Sequence, residues 1–437
     1  MTRQTNSPSS RDLRALVEAG FDGIGVPGGS VEVVDHSGVV GSVSFGELTV
    51  DSTVVLGSTS KSITAIALMQ AVETGALSLD DPVSQWLPTL GIPKDVTVQD
   101  LAHHSSGLTA DSTPGHLRFT KDHSFRYANH NYNLLSQVIE TATGLPYTQL
   151  LAERIFSPLG LEHSFAIGEG RDCEIVQGHV GVLGRFVPAK LADYGAASWI
   201  QTASGATCAS AADSATILRM LLNDGESDGV RILSPGSVRM MLTNTIATHG
   251  SSAVDGPLGP EGDYGFGWIR KTLDGEDVFV HVGKVPTHTT VFALIPGRGI
   301  GITLTVNAGD FLLATPLVED LADSVIRQTL GKPFEPAAPD IGRSRRGNLI
   351  AAYLGIAGLG VAGWLVHSEK AGKAGFLTYH LLLPLVFVAG IRRASGTPFA
   401  WLWKFAPDAA TILGFSAANM LASGIYKTAR GHNQQQP

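Results

Sequence analysis

Cysteine is nearly missing: Cys173 and Cys208 are the only two in 437 residues. Two isolated thiols make neither a disulfide framework nor a metal-ligand spacing, which leaves at most one bridge or, more simply, two buried thiols. H-E-x-x-H and H-x-H-x-D strings are absent as well, so no metal or other cofactor is expected. Charge is sparse, at 16% Asp, Glu, Lys and Arg against 43% hydrophobic residues, which is rich for a purely soluble chain. It is also unevenly placed. From Arg343 onward there are 10 Lys+Arg and 2 Asp+Glu, against 21 and 37 before it. A strongly acidic body argues against nucleic acid as a partner, and a basic-flanked apolar tail fits a membrane segment. The first ten residues, Met1 to Ser10, are polar and lack an apolar run, so no signal peptide is expected.

What is present falls into three stretches. Residues 10–331 alternate strand and helix signals. Ser30–Val34 and Val39–Phe45 read as strands joined by the turn Asp35-His36-Ser37-Gly38. Helical spacing follows at Arg11–Ala19, after Ser58, at Val96–His104, at Asn131–Thr143 ending on Gly144, and at Ala211–Asn223. Strand signals return at Tyr264–Lys271, Val278–Val282, Thr289–Ile295 and Gly299–Val306, before a closing helix over Thr315–Thr329. Strands at both ends with helices between them predict an α+β body. One antiparallel sheet is built from both termini and flanked by helices, with an all-helical insert and a cleft where the two meet. Residues 332–347 read as a linker. Residues 348–428 contain three apolar runs, 349–366, 376–391 and 406–426, each long enough or nearly so to cross a hydrocarbon core about 30 Å thick. The other reading of these runs is a buried helical hairpin.

The chemistry starts at Leu56-Gly57-Ser58-Thr59-Ser60-Lys61, which opens an apolar helix. Ser58 and Lys61 stand three apart, so a helix brings hydroxyl and amine onto one face, a turn apart. A serine needs a neighbouring base to become a nucleophile, and a lysine desolvated in a cleft can serve. Taken alone, the same spacing also suits an N-capping serine with a surface lysine. Tyr127 and Asn129 lie downstream in Phe125-Arg126-Tyr127-Ala128-Asn129. A phenol can relay a proton to a leaving group if a nearby Lys61 cation lowers its pKa, and an amide can reach both lysine and substrate. Both residues read equally well as loop and capping positions. On the strand Val280-His281-Val282-Gly283-Lys284, Gly283 lets a substrate backbone approach, and the Lys284 amide joins that of Ser58 as an oxyanion donor. His281 faces the cleft on this reading, or merely the strand surface.

Ser58-x-x-Lys61, Tyr127-x-Asn129 and His281-x-Gly283, in that order and spacing, resemble the serine β-lactamase and penicillin-binding-protein superfamily, in its class C-like branch of esterases, D-amino peptidases and carboxypeptidases. Leu101 to Leu108, Ala203-Ser204-Gly205 and Tyr264 to Trp268 also look like that family. One departure is Lys284-Val285-Pro286-Thr287-His288, where the family often carries further glycines. The resemblance implies a β-lactamase/transpeptidase-like fold with Ser58 as the acylated nucleophile, Lys61 as its base and Tyr127 as acid/base. It also implies that Asn129, His281, Gly283 and Lys284 hold the substrate. A small peptide or acyl amide is then the substrate, with a D-alanyl carboxypeptidase, a lactamase-like esterase or a non-turnover penicillin sensor as alternatives. With a membrane tail the architecture resembles peptidases that mature exported antibiotic precursors, for which an exporter, membrane lipid or a second copy would be partners. That function points the body outward, whereas the positive-inside tendency and the polar start point inward.

Overall fold

A computed structural model describes residues 10–333 apart from 110–111, 113–115, 183–184, 191–200, 252–253, 255 and 310–313. The chain divides into two units, 1–180 with 188–339 and 181–187 with 340–437. The second lies almost wholly outside the described residues, as do most of the linker expected at 332–347 and all three apolar runs beyond it. Among the described residues no helix is long and apolar enough to cross a membrane.

The first unit is built on an antiparallel sheet whose strands come from both ends of the chain. Its strands are β1 (Gly28–Val34), β2 (Val39–Gly46), β3 (Ile246–Ala247), β4 (Asp263–Tyr264), β5 (Ile269–Leu273), β6 (Glu276–Val285), β7 (His288–Ile295) and β8 (Ile300–Val306), in the order 3-4-5-6-7-8-1-2. The junction of the two ends is the β1–β8 pair, with Val31 opposite Leu304. The Asp35 turn forms as expected: Asp35 N–H donates to the Gly38 carbonyl at 2.8 Å, and the Asp35 carboxylate caps Ser37 and Gly38. β7 and β8 are buried along their whole length, because helices cover both faces. On one face α1 (Ser10–Ile24) meets α6 (Ala314–Thr329) where Leu321 lies against Gly20. On the other, Leu218 of α4 (Ala211–Leu222) lies beside Gly301.

The stretch expected to be an all-helical insert is mixed. It contains α2 (Ser60–Glu73), α3 (Asn129–Thr143), α4 and α5 (Pro235–Thr243). It also contains a small sheet in which Thr207–Ala209 pairs with Val54–Val55 and Phe165–Ala166. These strands are only two or three residues long, too short for alternation to register. They matter because the Val54 strand delivers the chain to α2. Cys208 sits in this sheet as a buried free thiol.

The expected strand Tyr264–Lys271 is broken into β4 and β5. The backbone between them packs on α2, with Ser62 Oγ donating to the Gly267 carbonyl at 2.7 Å. The helix expected over Val96–His104 shortens to Val98–Ala102, started by a Thr97–Asp100 capping box. α2 is apolar almost all round and is the inner helix of the unit. Ile63, Ile66 and Leu68 are fully buried, each contributing about 1.5–3 kcal/mol. A buried helix of this kind has little freedom to shift its first turn, which carries Lys61.

Candidate active site

The chain enters α2 through a single 3₁₀ turn, Gly57–Thr59. This turn is clamped to the sheet. The Leu56 carbonyl accepts from Thr59 Oγ1 at 2.8 Å and from Thr290 Oγ1 at 2.6 Å, and Leu56 N–H donates to Thr207 O at 2.9 Å. Gly57 has φ +58°, and a Cβ there would stand 2.6 Å from the Lys284 nitrogen. The Lys284 amide therefore lies directly against the Gly57–Ser58 turn. β6 pairs with β5 only up to Val280, so from His281 to Val285 it has β7 on one side alone. That free half-strand borders the serine. Ser58 itself is half-buried, while Lys61 and Thr59 have no exposed surface.

Lys61 Nζ lies 3.1 Å from Ser58 Oγ and donates to Asn129 Oδ1 at 2.8 Å and to Ser204 O at 2.7 Å. The three partners come from the Gly57–Thr59 turn, the start of α3 and the irregular turn Thr202–Ala206. Burial holds the Lys61 amine well below its ordinary pKa, because no carboxylate lies beside it to offset the lost hydration. Tyr127 has Ser58 beside its hydroxyl, and its ring lies 4.9 Å from Lys61 Nζ. The sequence-based expectation was a phenol pKa lowered by a Lys61 cation. The structure reverses the direction. Enclosure of the hydroxyl raises it, and an amine that is itself reluctant to charge offers little relief. Tyr127 therefore stays protonated and acts as a donor.

His281 is buried rather than on the strand surface. Its Nε2 lies 3.3 Å from the Tyr264 hydroxyl and its ring 6.5 Å from that of Tyr127. Burial depresses its pKa to about 3, so it is neutral. Gly283 faces the chain itself: a Cβ there would run into the Leu56 carbonyl and the Thr290 hydroxyl. The close approach read from this glycine is thus made by the Leu56–Thr59 segment. Lys284 presents its backbone to the site while its side chain turns away, pairing with Glu319 of α6 at 2.5 Å. Sequence reasoning missed Ser204 as the third partner of Lys61. It also missed the aromatic wall of His104, Tyr132 and Tyr264 behind Tyr127; only His104 and Tyr264 were marked, by their occurrence inside family-like strings.

The chain also holds a G-x-S-x-G string, Gly225 to Gly229, the spacing of a hydrolase nucleophile elbow. Its Ser227 lies in a hairpin whose Asp228 and Gly229 both have positive φ, and it accepts from Arg219 at 2.8 Å. That is a strand-to-strand turn, not the strand-to-helix elbow the motif requires.

A family model described as beta-lactamase matches residues 13–317. The chain belongs to the beta-lactamase family. Within it, penicillin-binding protein 4 of Amycolatopsis lactamdurans is 28% identical over 347 residues, covering 70% of this chain and 86% of that protein. The octameric penicillin-binding protein homologue from Pyrococcus abyssi has a TM-score of 0.64 at 27% identity, over 77% of this chain and 80% of that one. The D-amino acid amidase from Ochrobactrum anthropi SV3 shares the fold, with a TM-score of 0.61 at 22% identity over 73% and 99%.

Substituting Gly283 by alanine tests the clamp. The methyl group meets backbone, which cannot swing aside, so the Leu56–Thr59 turn or β6 must move. We expect a loss of about 2–3 kcal/mol in denaturant unfolding together with a large drop in any Ser58-dependent rate. Unchanged stability would mean that the turn is loosely held.

Proposed function

We propose that this protein is a serine hydrolase acting through a Ser58 acyl-enzyme on small peptides or acyl amides. D-amino-acid-containing or N-acyl peptides are the substrate class, and the apolar tail holds the enzyme at a membrane with its body outward. The observation that carries the reading is the hydroxyl of Ser58, shared between an amine stripped of water and a phenol that keeps its proton.

Ser58 Oγ attacks the acyl carbonyl carbon as its proton moves to the uncharged Lys61 amine. The carbonyl oxygen gains the charge and receives the N–H groups of Ser58 and Lys284. Tyr127 gives its proton to the leaving amine as the C–N bond breaks, and recovers one from Lys61. Water then attacks the ester by the reverse relay and frees the acid and Ser58. Asn129 and Ser204 hold the Lys61 amine in line throughout. Maturation of an exported antibiotic precursor, with an exporter or a second copy as partner, is the sharper form of the proposal and rests on the architecture. The similarity to penicillin-binding protein 4 supports a second reading, a penicillin-recognising carboxypeptidase or sensor.

Incubating the detergent-solubilised protein with benzylpenicillin and with matched D- and L-amino acid amides separates these. A hydrolase acylates and recovers, and it prefers one enantiomer of the amides. A stable adduct without turnover identifies the sensor instead. Absence of any adduct or amide hydrolysis overturns both.

A further inference from the structure

His104 has an unusual setting. It is fully buried, it holds φ +59° without being glycine, and it follows a short helix at the rim of the catalytic groove. It grips the chain on both sides of Tyr127. The Arg126 N–H donates to the His104 carbonyl at 2.8 Å, and the Ala128 N–H donates to His104 Nδ1 at 3.3 Å. Asn131 Nδ2 lies 3.1 Å from the same Nδ1, and Ser106 Oγ donates to Asn131 Oδ1 at 2.6 Å. The bond from Ser106 orients that amide so its nitrogen faces the ring. Nδ1 is therefore an acceptor and the ring proton sits on Nε2, which has no hydrogen-bond partner. The ring lies on that of Tyr127, with centroids 4.3 Å apart and planes inclined by 34°, and Tyr132 and Tyr264 enclose it at 5.1 and 4.9 Å. Nothing in the Ser58 relay uses this imidazole as acid or base.

We propose that His104 is a positioning residue for Tyr127: it pins the backbone on either side of the tyrosine and gives its ring a flat shelf, so that the phenol points at Ser58. The inference rests on Tyr127 being the proton donor to the leaving group. A loosened phenol harms a poor leaving group, which needs its proton, far more than a good one, which departs as an anion.

The test compares kcat/KM, which reports the acylation step, on D-phenylalanine amide and D-phenylalanine p-nitrophenyl ester for the full chain, His104→Asn and Tyr127→Phe. Rates are normalised to the folded fraction of each preparation, read from circular dichroism. Asparagine tolerates the left-handed backbone and keeps an acceptor for Ala128, but it removes the shelf. We expect His104→Asn to lower kcat/KM on the amide about tenfold or more, through kcat with KM nearly unchanged, and to lower kcat/KM on the ester far less, a weaker copy of Tyr127→Phe. Equal falls on both compounds, or none, overturn the proposal. If His104→Asn does not fold, Asn131→Ala decides, since it frees one side of the same ring: a selective loss on the amide supports positioning, and an unselective one refutes it. A wild type inert toward both compounds would instead refute the hydrolase reading on which this rests.

Discussion

Ser58→Ala is expected to eliminate both the covalent adduct and hydrolysis while the protein keeps its fold. The side chain is half-buried and its oxygen lies among groups of the site, 3.1 Å from Lys61 Nζ and beside Tyr127, so removing it empties no core space. Lys61 keeps Asn129 and Ser204 as acceptors, which limits the stability change to about 1 kcal/mol. The rate, by contrast, should fall on the order of a millionfold, as it does where a nucleophile works as a unit with its base. Intact-protein mass after incubation with benzylpenicillin reads the adduct directly. An adduct that persists in this variant would place the nucleophile elsewhere.

Lys61→Met is expected to fall nearly as far in rate, by about 10⁴-fold, since the serine loses its base but keeps the oxyanion donors. Its stability should move the other way. In the native state burial lowers the Lys61 pKa below its ordinary 10.5, so the unfolded chain binds more protons than the folded one between those two values. Wild-type stability should therefore rise with pH across that window. Removing the amine abolishes this contribution, at the expense of two orphaned acceptors, Asn129 Oδ1 and Ser204 O. Urea unfolding at pH 7 and pH 10 checks the sign. The difference in stability between Lys61→Met and wild type should shrink as the pH rises, and a difference that grows would show that the buried amine is charged. The same pKa predicts an acid limb in the hydrolysis rate, which is lost as the amine becomes protonated.

The contrast between Ser58–Lys61 and the rest of the site shows what a linear chain can reveal. Three residues of helical spacing fix a distance within one element, so the serine–amine contact was readable before any fold was known. The apolar spacing that buries α2, α3 and α4 was legible for the same reason, as was the sheet assembled from both ends. Helix α5 was overlooked although Ser234-Pro235 is a helix-start signal, because its apolar face is only a few residues long. The break between β4 and β5 was not readable, since it is imposed by contact of Gly267 with a helix about 200 positions earlier.

By itself, then, the amino-acid sequence determined the periodicities, the α+β body, the family and the closeness of Ser58 and Lys61. These depend on local geometry and on which side chains exist. Tertiary structure alone decided the third anchor of the amine, the direction in which Tyr127 titrates, the burial of His281 and the outward turn of the Lys284 side chain. Each depends on how much water is excluded and on which distant backbone fills the space, and neither quantity is written in the spacing of residues along a chain.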